Sequence, residues 1–107
     1  MVGKIFRVLF TRNAQRRRQQ INDFEENLNG KRYARKVQRT IDKESQKLKE
    51  LPEAHPIYED HDSEYEVRYT KALDYKILFR VLKKVGEVII LTIRNDAENP
   101  DKIRNEV

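Results

Sequence analysis

The spacing of apolar residues predicts a strand and a helix at the start of the chain. Ile5 to Phe10 is a short run rich in Ile, Phe and Val, which is typical of a β-strand. Thr11 follows, and its hydroxyl can accept a hydrogen bond from the first free backbone amides of a helix. Apolar residues at helical spacing predict the buried stripe of that helix: Ala14, Ile21, Phe24 and Leu28. Asn29-Gly30 predicts its end, because glycine adopts the left-handed conformation that closes a last turn.

A second helix is predicted from about Arg32 to Leu51, where Pro52 stops it. Its apolar stripe consists of Ala34, Val37, Ile41, Leu48 and Leu51. The link between the two helices is short, so we expect an antiparallel helical hairpin.

The second half of the chain predicts a loop and three strands. Residues 53–63 are polar and broken by Pro56. The strands are Tyr65 to Tyr69, Tyr75 to Leu82, and Val88 to Ile93 after a turn at Gly86. In the middle strand we expect two faces, one with Tyr75, Ile77, Phe79 and Val81 and the other with Lys76, Leu78 and Arg80. The last run is too short for a membrane span and predicts a strand buried on both faces.

The order β-α-α-β-β-β predicts an α+β fold with the helical hairpin packed on a small, mostly antiparallel sheet. With 107 residues, we expect a single domain over residues 1–107. The chain has no cysteine, which excludes disulfides, thiolate metal sites and a thiol nucleophile. It also has no apolar segment of membrane-spanning length and no apolar secretory signal, since Lys4 and Arg7 interrupt the start. We therefore expect a cytoplasmic protein that does not bind membranes.

Charge is distributed unevenly along the sequence. Residues 1–50 carry 14 Lys or Arg against 6 Asp or Glu, whereas residues 51–66 carry 6 acids and no Lys or Arg. A basic body favours an anionic partner such as nucleic acid or an acidic protein. The two histidines, His55 and His61, lie in the acidic segment at a spacing that does not aim them at a metal ion. We predict no metal site, and an electrostatic role for this loop.

Four motifs follow one another along the chain. The first strand is followed by Thr11-Arg12-Asn13-Ala14, and the hairpin closes on Leu51-Pro52. Arg68 precedes an aromatic-led strand, Tyr75 to Val81, and the ending from Ile93 to Ile103 contains Asn99-Pro100. In this order the motifs resemble the RelE/ParE superfamily of toxins from type II toxin–antitoxin systems, and the ending resembles that of its plasmid-stabilisation members. The resemblance implies a growth-inhibiting toxin without a cofactor, and no glycine-rich phosphate loop is present.

The superfamily contains two mechanisms, messenger RNA cleavage inside the ribosome and poisoning of DNA gyrase. The resemblance makes Arg68 and Arg94 the candidate catalytic residues, since cations stabilise the charge that develops on phosphate. Lys76, Arg80 and Asp96 are candidates for binding the substrate or target. Arg94 stands where many active members have a histidine or tyrosine.

That replacement favours gyrase inhibition over cleavage. Arginine stays protonated near neutral pH, Asn95 does not titrate, and Asp96 can act as a base only if its pKa rises. Ala97 also replaces an arginine that is frequent in related tails. A ParE-like inhibitor of gyrase is therefore the preferred hypothesis. A RelE-like ribosome-dependent endonuclease, with Tyr69 or Tyr75 as proton donor, and a non-catalytic basic nucleic-acid-binding domain remain alternatives.

The resemblance also implies a cognate antitoxin. Arg35 and Arg39 on the basic hairpin are candidates for binding an acidic amphipathic segment that folds on the toxin. The oligomeric state is left open, a homodimer included.

Overall fold

Two helices pack on one face of a four-stranded mixed sheet in the computed structural model, which describes residues 5–96. The elements are β1 (Arg7–Phe10), α1 (Arg12–Asn29), α2 (Lys31–Gln46), β2 (Arg68–Ala72), β3 (Tyr75–Leu82) and β4 (Glu87–Asn95). The predicted order β-α-α-β-β-β and the α+β class are confirmed. Within this described part, no helix is long and apolar enough to cross a membrane.

The sheet has the strand order β1-β4-β3-β2. β1 pairs with β4 in parallel, and β3 pairs with both β4 and β2 in antiparallel fashion. The central position of β4 explains its unbroken apolar run, because its two faces contact different apolar clusters. One cluster lies between sheet and helices and includes Ile90 and Ile93. The other lies under the loop before β2 and includes Leu91.

The helix ends follow the sequence closely. The Thr11 side chain accepts a hydrogen bond from the amide of Ala14, at 3.0 Å, and so caps α1. Gly30 has a φ of 89° and donates its N–H to the carbonyl of Glu26, so it ends α1 as predicted. α2 is shorter than predicted, because the chain tightens into a 3-10 turn over Lys47–Lys49.

Three residues of the predicted apolar stripes are not buried. Phe24 and Leu28 on α1 are exposed, because the second half of that helix borders an open groove instead of the sheet. Leu51 is exposed because it follows the 3-10 turn and takes a left-handed backbone conformation, with φ at 48°. The prediction of burial was wrong at these positions.

The second strand starts later than predicted, at Arg68 instead of Tyr65. Val67 is hydrogen-bonded to the preceding loop and not to β3, since its carbonyl accepts the N–H of Tyr58 at 2.7 Å. The first strand also starts later, at Arg7, because Phe6 donates its N–H to Lys49. The boundaries of β3 agree with the prediction.

β4 contains a β-bulge at Leu91. Phe79 pairs with Ile90 and Leu78 pairs with Thr92, so Leu91 has no partner residue on β3. The carbonyl of Leu91 instead accepts the Thr11 hydroxyl at 3.0 Å and the Asn13 side-chain amide at 3.4 Å. The same threonine therefore caps α1 and fixes the bulge.

Candidate functional site

The sheet face opposite the helices carries a row of cations, and we call it the outer sheet face. Lys76 and Arg94 are paired residues on β3 and β4 and so point to the same side. Leu78 belongs to the apolar cluster on this side, and strand alternation places Lys76 and Arg80 there too. The predicted division of β3 into two faces is therefore confirmed.

Tyrosine rings hold two of these cations in place. The Arg80 guanidinium carbon lies 3.9 Å from the centroid of the Tyr65 ring. The Lys76 ammonium lies 4.9 Å from the centroid of Tyr69. Both cations remain partly exposed, so each contact stabilises the local arrangement by about 0.5–1 kcal/mol. The pairs present positive charge beside an aromatic surface.

Arg94 is buried beneath this surface. Arg94 is 6% exposed, and its Nη1 donates a long hydrogen bond, of 3.4 Å, to the Tyr58 hydroxyl. Tyr58 is itself buried and stacks on His61, with ring centroids 6.4 Å apart. The guanidinium of Arg94 therefore supports the loop above it and does not face solvent.

Arg68 lies on the other side of the sheet. It pairs with Phe79, whose side chain belongs to the helix-facing cluster, and it follows Val67, which belongs to the loop-side cluster. Its Nη1 donates to the His55 carbonyl at 2.6 Å, and its Nη2 pairs with Glu66 at 2.8 Å. Arg68 therefore lies on the opposite face of the sheet from Lys76 and Arg80.

Burial lowers the pKa of His55, Glu44 opposes this shift by favouring the charged imidazole, and Arg68 adds to the lowering. The His55 ring also meets Phe79 edge-on, with centroids 5.8 Å apart. His61 accepts the Ser63 N–H through Nδ1 at 3.1 Å. In the part of the chain from residue 5 to 96, no three His, Asp or Glu side chains are grouped so that they could hold a metal ion.

Asp96 lies between two lysines at the end of β4. Its carboxylate oxygens are 3.2 Å from the Lys71 ammonium and 3.9 Å from that of Lys76. The structure thus brings Asp96, Lys76, Arg80 and Arg94 to one side. The predicted tail features Ala97 and Asn99-Pro100 lie outside the described residues.

Arg35 and Arg39 lie elsewhere, exposed on α2. They share that helix with Val37 and Ile41, which pack into the helix-facing cluster. Arg35 and Arg39 thus lie on solvent-facing positions of α2, separate from the outer sheet face.

Sequence reasoning missed the two loop tyrosines. Tyr58 covers Arg94, and Tyr65 covers Arg80, yet neither lies in a regular pattern of apolar residues. The only sequence signal is the presence of aromatic residues in an otherwise acidic segment. Their partners are set by the path of the loop and not by local spacing.

Solved structures of toxin–antitoxin systems share this arrangement of elements. A chain of the chromosomal ParDE TA system from P. aeruginosa has a TM-score of 0.69 and 23% identity, with 87% of this chain and 98% of that chain covered. A chain of the toxin–antitoxin complex RelBE2 from Mycobacterium tuberculosis has a TM-score of 0.58 and 18% identity, with 88% and 94% covered. A chain of the archaeal RelE-RelB complex from Pyrococcus horikoshii OT3 has a TM-score of 0.59 and 13% identity, with 89% and 99% covered. No protein-family model and no curated protein matches this chain.

Proposed function

We propose that this chain, which has the RelE/ParE fold, is the toxin of a type II toxin–antitoxin pair and inhibits DNA gyrase without cleaving nucleic acid. One observation carries the choice between the two mechanisms. Arg68 and Arg94, the candidate catalytic cations, lie on opposite faces of the sheet. They do not converge on one phosphate group.

The remaining side chains of the outer sheet face support the same choice. RNA cleavage needs one group that takes the proton of the ribose 2′-hydroxyl and another that protonates the leaving oxygen. Asp96 is the one carboxylate among the predicted site residues, and it is engaged by Lys71 and Lys76. The candidate proton donor Tyr75 lies on the helix-facing side. Tyr69 lies beside the Lys76 ammonium on the outer sheet face.

Lys76 and Arg80 are the residues through which the chain binds its target in this proposal. Both project from β3, a rigid strand in the middle of the sheet, so their positions are fixed before binding. Their tyrosine partners keep the cations extended over the surface. A target with a carboxylate or phosphate group at matching spacing fits this surface.

The test uses purified gyrase and relaxed plasmid. The wild-type chain should block supercoiling, and Arg80→Glu should weaken the block about tenfold or more, since a repulsive charge replaces an attractive one. Lys43→Glu, an exposed charge reversal on α2, is the matched control and should inhibit like wild type. Full supercoiling at saturating wild-type protein contradicts the gyrase target.

The cation and tyrosine pairs also favour a second candidate, the RelE-like endonuclease, because bases of single-stranded RNA stack on such side chains. Primer extension on a message being translated in a purified system separates the two. Cuts that require the ribosome overturn the gyrase proposal, and Arg68→Ala should then abolish them. Absence of toxicity on expression, with salt-sensitive binding to any nucleic acid, supports the non-catalytic binding domain instead.

The proposal includes a cognate antitoxin that binds the basic hairpin. Arg35 and Arg39 are exposed on α2 and separated by one helical turn, so both face one acidic segment. Reversing both charges should weaken antitoxin binding. Unchanged binding at moderate salt contradicts this contact.

A further inference from the structure

Three large apolar side chains are exposed at one end of the sheet, and we call them the end patch. Ile5 precedes β1, Leu51 follows the 3-10 turn after α2, and Val85 lies in the turn between β3 and β4. They are 56%, 73% and 66% exposed, respectively. The N–H of Arg7 donates to the Gly86 carbonyl at 2.8 Å, which joins the start of β1 to that turn. Apolar side chains gathered in this way on a surface mark a contact with another molecule.

A cavity of about 340 Å³ opens beside Leu51. Its apolar lining consists of Leu51 itself, Phe6, Pro52 and Ala54. The N–H of Phe6 donates to the Lys49 carbonyl at 2.8 Å, so the start of β1 and the 3-10 turn form adjoining walls. An exposed apolar side chain therefore stands next to an apolar hollow with room for a side chain.

The backbone fixes the direction in which Leu51 points. Its φ and ψ are both 48°, the left-handed conformation that residues other than glycine rarely adopt. The Leu51 carbonyl accepts the Ala54 N–H at 3.0 Å, and the ring of Pro52 fixes the next φ angle. A short 3-10 helix thus holds a disfavoured conformation that keeps an apolar side chain in solvent. Such a conformation indicates a role for Leu51 outside the chain's own core.

One acidic and one basic side chain also line the cavity. The Lys83 ammonium lies 3.2 Å from Oε1 of Glu53, and the two side chains are 67% and 41% exposed. At this exposure the ion pair contributes little, so it can exchange partners at little cost. The surface offers an acid and a base, and an apolar side chain and an apolar hollow. Because each feature has its complement on the same surface, a second copy of this chain turned about a two-fold axis fits it.

We infer that the end patch is a homodimer interface. Leu51 of each copy enters the cavity of the other, and Glu53 of each copy pairs with Lys83 of the other. Because the exposed leucine and the cavity adjoin, the same contact forms twice and the assembly closes at two copies instead of growing into a filament. The inference does not depend on the proposed toxin function, since it concerns the contact of the chain with itself. Lys76 lies at the opposite end of β3, so the dimer leaves that part of the outer sheet face open.

Sedimentation velocity over a range of concentrations tests the interface. The wild-type chain should change from monomer to dimer as its concentration rises. Leu51→Asp should raise the dissociation constant about tenfold or more, because it places a charge in an apolar contact. Aspartate adopts the left-handed conformation more readily than leucine, so this variant should keep the fold, which thermal unfolding checks. Leu28→Asp is the matched control, since Leu28 is 65% exposed on α1 and this variant should dimerise like wild type.

Two charge reversals separate contacts between copies from contacts within one copy. Glu53→Lys brings only cations to the ion-paired positions, and Lys83→Glu brings only carboxylates, so each variant alone should dimerise severalfold more weakly than wild type. An equimolar mixture restores opposite charges across the two-fold axis and should dimerise more strongly than either variant alone. The ion pair within the chain is lost in both variants, so it does not account for recovery in the mixture.

A wild-type chain that stays monomeric at every concentration overturns the inference, and so does a dimer that Leu51→Asp weakens no more than Leu28→Asp does. A mixture that associates no more strongly than the separate variants overturns the pairing of Glu53 with Lys83 between copies. These outcomes leave the gyrase and antitoxin proposals standing, because those have their own assays.

Discussion

The Tyr75 hydroxyl donates a hydrogen bond of 2.5 Å to the Glu25 carboxylate and so joins β3 to α1 across 50 positions of sequence. Both residues are buried, at 2% and 5% exposure. Burial, and then the hydrogen bond to Glu25, raises the pKa of Tyr75 above its ordinary value of 10.0. The link between sheet and helix therefore depends on the Tyr75 hydroxyl keeping its proton.

Removing that hydroxyl should destabilise the protein. Tyr75→Phe leaves a buried carboxylate with one hydrogen bond fewer, which costs about 1–3 kcal/mol of unfolding free energy. Urea unfolding at neutral pH measures the loss. Tyr69→Phe, a half-buried tyrosine outside this pair, is the control and should change stability less.

The same pair predicts a loss of stability at alkaline pH. Because the pKa of Tyr75 is higher in the folded chain, its contribution is complete below pH 10.0 and is lost as pH rises from there toward the folded value. Urea unfolding at several alkaline pH values should therefore show a shallower decline for Tyr75→Phe than for wild type. An identical decline of stability with pH in the two proteins would contradict the role of Tyr75.

The lowered pKa of His55 predicts a loss of stability at mildly acidic pH. Burial lowers its pKa in the folded chain, so below the ordinary value of 6.5 the unfolded chain binds more protons. Stability should fall as pH falls through 6.5 toward the folded pKa. His55→Gln should flatten this part of the profile, as measured by urea midpoints.

Thr11 should matter more than an ordinary helix cap. Thr11→Ala removes the acceptor for the Ala14 amide and also the donor to the Leu91 carbonyl, so a loss of about 1–2 kcal/mol is expected. Thr40→Ala is the matched control. Its hydroxyl donates only to the Lys36 carbonyl within α2, and alanine is the better helix former, so its stability should not fall. A thermal shift equal in the two variants would argue against the link to β4.

Substitutions at Arg94 and Arg80 should have different effects, the first on stability and the second on target binding. Arg94→Ala empties space beneath Tyr58 and should lower the unfolding free energy by about 1–3 kcal/mol. Arg80→Ala removes a partly exposed contact with Tyr65 and should cost less than about 1 kcal/mol. In the gyrase assay, Arg80→Ala should inhibit less than wild type at equal folded concentration. A stability loss at Arg80 as large as at Arg94 would contradict this division.

The sequence predicted those features that depend on neighbouring residues. The cap at Thr11, the helix end at Gly30 and the alternation along β3 are local properties, and the structure confirms all three. Burial at Phe24 and Leu28 was wrong, because it depends on which element faces the second half of α1. Helical spacing marks an apolar stripe, but it does not show whether the molecule's own core covers it.

Less of the candidate site than of the fold follows from the local sequence. The cations Lys76 and Arg80 lie on the same face of the sheet, since they are four residues apart on one strand. Arg68 and Arg94 lie apart because side-chain direction depends on pairing register, and no local signal placed the bulge in β4. The contacts of Tyr58 and Tyr65 depend in turn on how the acidic loop crosses the sheet.

The bulge at Leu91 has a consequence for comparing this chain with others. It adds one residue to β4 without adding one to β3, so Leu91 and Thr92 lie on the same side and alternation resumes one position later. A relative with a regular strand therefore aligns with Arg94 only across a one-residue gap. An ungapped alignment anchored on Val88 and Ile90 would match Arg94 to a side chain on the helix side. Positional equivalence at the end of this strand has to be assigned by pairing partners, with Lys76 as the reference for Arg94.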